Sequence, residues 1–151
     1  MSQTNAAART GAPAQPGKLA RLRLSSFGLV TMLILEFILG TIYSLYGTAP
    51  APHKSIGLFS SPDLALHVIL GILLFLAAVM QVVRSVGTRH RLAVSLSAVG
   101  LVAIIGAGFA GLGFTGSGAN GASLGMALLF AVALACYAVL VLVLPSRDAT
   151  T

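Results

Sequence analysis

The chain has 151 residues, 57% of them hydrophobic and 8% charged, with a formal net charge of +6. A soluble domain carries about 25% charged residues, and nine basic with three acidic side chains cannot solvate a water-exposed fold of this length. These figures exclude an ordinary cytosolic enzyme and make lipid the main solvent.

Residues 1–25 are rich in Ala, Gly, Pro and Gln with scattered basic groups, the composition of a disordered basic tail. Four apolar runs follow, predicting helices over about 27–47, 64–84, 92–114 and 122–144. Each is about 20 residues long, enough for a helix to cross roughly 30 Å of hydrocarbon at about 1.5 Å per residue. None shows the polar face of a soluble helix or the alternation of a barrel strand. The prediction is all-α: a four-helix transmembrane bundle over residues 26–145, followed by a short tail at 146–151. Arg21 and Arg23 before an apolar stretch and Ala49-Pro50-Ala51 imitate a cleavable leader. That stretch exceeds the usual apolar core of a leader and has Glu36 in its middle, so it reads as a span.

Charge predicts the orientation. Arg9, Lys18, Arg21 and Arg23 precede the first span; Arg84, Arg89 and Arg91 join the second to the third; Arg147 follows the fourth. The other two connections hold only Lys54. The positive-inside rule then places both termini in the cytoplasm, in a multi-pass protein of the bacterial inner membrane. The +6 thus reads as an orientation label, with membrane lipid as partner and no nucleic acid, because no basic patch interleaved with aromatics exists. Cys136 has no partner in the chain, so no internal disulfide is possible.

Small residues let helices approach closely in lipid. The third span carries Ala93, Ser97, Gly100, Ala103, Ala107 and Gly111, the fourth Ser123, Ala127, Ala131, Ala135 and Ala138; both stripes are expected at a tight antiparallel pairing. The first span offers Glu36, Gly40, Tyr43 and Gly47, the second His67, Gly71, Leu74, Ala78 and Gln81. Polar groups avoid lipid, so these two faces should look inward.

Glu36, near the middle of the first span, is costly to ionise there and is a candidate proton or cation site. The plainer reading is a neutral carboxyl bonded within the bundle, for example to Tyr137 at similar depth. Counting helical rises puts His67 level with Tyr43 and Glu36 about 10 Å deeper, so a direct Glu36–His67 pair is not expected. His67 and Met126 share a depth and could be axial ligands of a haem. Alternatively His67 bonds to Tyr43 or Ser123 and Met126 merely packs. His53, Asp63 and His67 form a scattered set for a metal, and Arg89-His90-Arg91 reads as a solvated turn. Gly106-Ala-Gly108-Phe-Ala-Gly111 matches a dinucleotide fingerprint in letters, but no strand precedes it, and close packing explains it better. No constellation for nucleophilic catalysis is present, so a non-enzymatic role is expected.

Leu35-Glu-Phe-Ile-Leu-Gly40, the loop with Pro50 and Pro52, Leu66-His67-Val-Ile-Leu-Gly71, Gly106-Ala-Gly-Phe109, Ala122-Ser-Leu-Gly-Met126-Ala127 and Tyr137 span nearly the whole chain after residue 25. In these runs the chain resembles a group of uncharacterised small four-helix membrane proteins common in bacteria with Ala- and Arg-rich proteomes. The resemblance implies the fold and no activity; its departures are a shorter outer loop and Glu36 where an amide or apolar residue is expected. Glu36 with Gly40-Thr41 is also similar to the first helix of small multidrug resistance transporters, although the absence of Trp and the long basic N-terminus depart from them. Three roles follow as expectations: an accessory, ligand-binding or complex-subunit protein associating with other membrane proteins or with itself; a b-type haem protein; and a proton-coupled transporter acting as a homodimer.

Overall fold

The computed structural model describes residues 16–47, 54–118 and 120–145. Among them the chain forms α1 (Pro16–Tyr46), α2 (Pro62–Val86), α3 (Arg91–Ser117) and α4 (Asn120–Val143), with no strand. All four helices are long and apolar enough to cross a membrane. Outward faces carry Ile34, Phe37, Leu66, Leu73, Phe109 and Leu142, all exposed, a surface that only lipid would solvate cheaply.

Each boundary has a local cause. Ser61 caps α2 by accepting the Leu64 N–H at 3.4 Å, Pro62 occupies the first helical position, and Asp63 sits on the positive end of the helix dipole. At the turn into α3 Arg89 takes φ 54°, and His90 Nδ1 accepts the Ala93 N–H at 3.3 Å as N-cap. His90 is therefore more than a solvated turn residue. α3 ends where Gly118 adopts φ 67° and donates to the Phe114 carbonyl, a left-handed cap that suits glycine.

α1 starts at Pro16 rather than near Phe27, so residues 16–25 are helix and not tail. Lys18, Leu19, Ala20, Arg21, Leu22 and Arg23 are strong helix formers, and the segment is anchored: Leu22 is 1% exposed. Arg23 Nε donates to the Val141 carbonyl at 2.8 Å, satisfying one of the orphan acceptors in the last turn of α4. The expected tails at 1–15 and 146–151 lie outside the described residues.

The helices alternate in direction and touch in a ring: α1 on α2, α2 on α3, α3 on α4, and α4 on α1, with the most extensive contact between α3 and α4. The α1–α2 and α3–α4 connections share one end, the loop end, tied by the Ile56 N–H donating to Thr115 at 3.0 Å. The helix N-terminus of α1, the α2–α3 turn and the end of α4 share the other, the terminal end. Lys18, Arg21, Arg23, Arg84, Arg89 and Arg91 stand at or near the terminal end, and Lys54 at the loop end.

Inward stripes repeat in steps of four and three. On α1, Leu22, Ser26, Leu29, Leu33 and Tyr43 are buried; on α2, Leu64, Leu74, Ala78, Gln81 and Ser85. A period of about 3.5 residues is that of a left-handed bundle. α3 contributes small inward residues, Ala93, Ser97, Gly100 and Ala103, while α4 answers with Ala133, Tyr137 and Leu140, and Leu144 follows just beyond its end. Here the expected α4 face is corrected. Ala127, Ala131 and Ala135 are exposed, and Ala107 is half-buried. One close approach needs only one small partner: Tyr137 fills the space over Gly100, Leu129 that over Gly106, and Met126 that over Gly111.

Candidate functional site

Along the α1–α2 seam the helices meet glycine to side chain, twice. A Cβ on Gly40 would lie 3.3 Å from His67 Cε1, and one on Gly71 would lie 3.0 Å from Glu36 Oε1. Each glycine therefore opens the room that the opposing polar side chain occupies. Glu36 Oε1 and His67 Nδ1 stand 3.3 Å apart, with side chains 13% and 22% exposed.

This pair corrects the depth count. His67 faces Gly40, not Tyr43, so the axial offset to Glu36 is four residues, or about 6 Å, which two long side chains bridge. The count assumed flush helix ends, whereas α2 begins earlier, at Pro62.

The pair is close but not saturated. Although the distance is in ion-pair range, the alignment is not that of a hydrogen bond, and His67 Nδ1 and Glu36 Oε2 are both buried without a hydrogen-bond partner among the described residues. A buried carboxyl oxygen and a buried imidazole nitrogen with unused capacity, side by side in lipid, can share or exchange a proton or receive an N–H or O–H donor.

Other predicted members fall elsewhere. Tyr137 is fully buried against Gly100 in the α3–α4 interface, so it is not the partner of Glu36; its hydroxyl and the Ser97 Oγ are buried without hydrogen-bond partners among the described residues. Met126 of α4 places its sulfur 3.6 Å from where a Gly111 Cβ would be on α3, whereas His67 of α2 packs against Gly40 of α1. Tyr43 is buried one turn beyond Gly40 towards the loop end. His53 lies outside the described residues.

A second polar cluster, nearer the terminal end, was not singled out as a site from the sequence. Gln81, 1% exposed, donates through Nε2 to Ser26 Oγ at 2.6 Å and to the Leu22 carbonyl at 3.3 Å, and its Oε1 accepts from Ser25. Its partners lay in and beside the presumed tail, which hid it. With every amide function bonded, this cluster joins α1 to α2 rather than offering free capacity. Buried Leu29, Leu33, Leu74 and Ala78 separate it from Glu36 and His67.

Comparison of the chain with family models, with curated proteins and with solved structures gave no match.

Proposed function

We propose that this is a non-enzymatic, multi-pass protein of the bacterial cytoplasmic membrane that binds and releases a proton at Glu36–His67, reached from the loop end on the outer side. The observation that carries the reading is the 3.3 Å approach of Glu36 Oε1 to His67 Nδ1 while Glu36 Oε2 has no partner among the described residues. Ionisable groups inside a bundle are expensive to bury and mark ion or proton sites. Two glycines give up packing to seat this pair. Orientation follows from the cations gathered at the terminal end, which the positive-inside rule assigns to the cytoplasm. The kinship to small four-helix bacterial membrane proteins belongs to the same proposal.

One-sided access favours proton-linked binding over a through-path. The apolar layer of Leu29, Leu33, Leu74 and Ala78 closes the seam between the pair and the terminal end, so a transporter would have to open that layer. The test is infrared difference spectroscopy of the full chain in lipid between acid and alkaline buffer. The expected result is a carboxyl band removed by Glu36→Gln, altered by His67→Gln and kept in Asp63→Asn. A spectrum that Glu36→Gln leaves unchanged would overturn the proposal.

A further inference from the structure

Two buried hydroxyls in the α3–α4 interface take no part in the Glu36–His67 site. Ser97 and Tyr137 are each 0% exposed, and Ser97 Oγ and the Tyr137 hydroxyl have no hydrogen-bond partner among the described residues. The other buried hydroxyls set the contrast. Ser26, Ser85, Thr88 and Thr115 each donate to a carbonyl of their own helix or turn, at 2.9, 2.8, 2.7 and 3.2 Å. Ser97 has the Ala93 carbonyl one turn back, as Ser26 has that of Leu22, and makes no such bond. Buried polar groups without partners are costly and rare, so two on one interface call for a shared cause.

Ser97 and Gly100 are three residues apart on α3, which puts their Cβ positions about 5–6 Å apart on one face. The Tyr137 hydroxyl lies 2.9 Å from the Cβ position of Gly100. A water bonded at about 2.7–2.8 Å on each side spans up to about 5.5 Å, a separation this geometry allows. The surroundings select the ligand further. α4 carries no charged residue and α3 only Arg91, at its first position, so nothing at mid-interface would hold an ion. Ala93, Ala103, Ala133 and Leu140, none above 3% exposed, shut the interface to lipid. Two hydroxyls that can each donate and accept suit one small molecule that does both.

We propose that Ser97 and Tyr137 hold a buried water that bridges α3 and α4, hydrogen-bonded to both hydroxyls. It links the two helices that share the most extensive contact.

The experiment is water-edited solid-state NMR of the full chain in lipid with carbon-labelled tyrosine, in which polarisation passes from water to nearby carbons. Of the three tyrosines, Tyr137 is assigned by the signal lost in Tyr137→Phe, and Tyr46, 85% exposed, serves as the hydrated reference. Tyr137 Cζ is expected to gain water polarisation early despite its burial, and Ser97→Ala should cut that gain by at least half. No early gain at Tyr137, or a gain that Ser97→Ala leaves unchanged or increases, would overturn the proposal. Stability supplies a second measurement. Ser97→Ala and Tyr137→Phe should each lower the folding constant about threefold, the worth of one hydrogen bond in a membrane bundle. The double variant should lose little more than either alone, because either change breaks the same bridge. A gain in stability from either change, as removal of an unbonded hydroxyl would give, or strict additivity would also overturn it. Neither variant changes Glu36 or His67, so failure here leaves the reading of that pair standing.

Discussion

Gly100→Ala should destabilise the bundle, and the structure says why the sign is not the usual one. In a helix interior Ala is favoured over Gly by about 1 kcal/mol, so propensity alone predicts a gain. A Cβ at Gly100 would meet Tyr137 Cζ at 2.7 Å and Cε2 and OH at 2.9 Å. Ordinary contact begins near 3.4 Å, so ring and helix must part by about 0.7 Å (3.4 minus 2.7). Tyr137 is 0% exposed and its ring is rigid, so the space has to come from backbone separation of α3 and α4. Overpacking of this kind costs about 1–3 kcal/mol, which exceeds the propensity gain. Two other glycines of α3 calibrate the effect. At Gly106 the obstacle is the flexible Leu129 Cδ1 at 3.0 Å, and at Gly108 nothing lies within 4 Å. Unfolding of the full chain in mixed micelles by added dodecyl sulfate should rank Gly100→Ala as least stable, Gly106→Ala near wild type and Gly108→Ala at or above it. Combining Gly100→Ala with Tyr137→Leu should cost less than the sum of the two single changes. A stabilised Gly100→Ala, or strict additivity with Tyr137→Leu, would refute the α3–α4 packing described.

Other consequences are open to the same material. Gln81→Ala removes hydrogen bonds to Ser26, Leu22 and Ser25; at about 0.6 kcal/mol each in a membrane bundle, it should lower stability by about 1–2 kcal/mol in the same assay, and an unchanged midpoint would contradict the α1–α2 latch. Gly71→Ala puts a methyl group 3.0 Å from Glu36 Oε1, so it should shift the Glu36 carboxyl band while the helical content stays unchanged. In a Cys136→Ala background, Lys54→Cys should react with an impermeant maleimide in intact cells and Arg89→Cys only after permeabilisation. The reverse pattern would invert the orientation.

Four helices were legible because lipid leaves little choice: long apolar runs must be helical, and their ends are marked by Pro, Gly and charge. The inward stripes of α1 and α2 were legible too, since Glu36, His67 and Gln81 cannot face hydrocarbon and their spacing of four and three holds one face. The α4 face was misread because size was taken as the sign of an interface. Tyr137 buries as well as any alanine when Gly100 makes the room on α3. The Glu36–His67 contact was missed for a geometric reason. A depth count fixes Cα positions to about a turn, while a carboxyl and an imidazole together reach across one. The start of α1 was missed because Lys18, Arg21 and Arg23 lower hydropathy without lowering helix propensity.

The central claim is that Glu36 and His67 act as one coupled pair inside the bundle. Its most direct test is nitrogen NMR of the full chain in lipid with labelled histidine, assigning His67 by its loss in His67→Gln. The account predicts that Glu36→Gln moves the pH titration of the His67 ring. A His67 titration that is the same with and without the Glu36 carboxyl would contradict it.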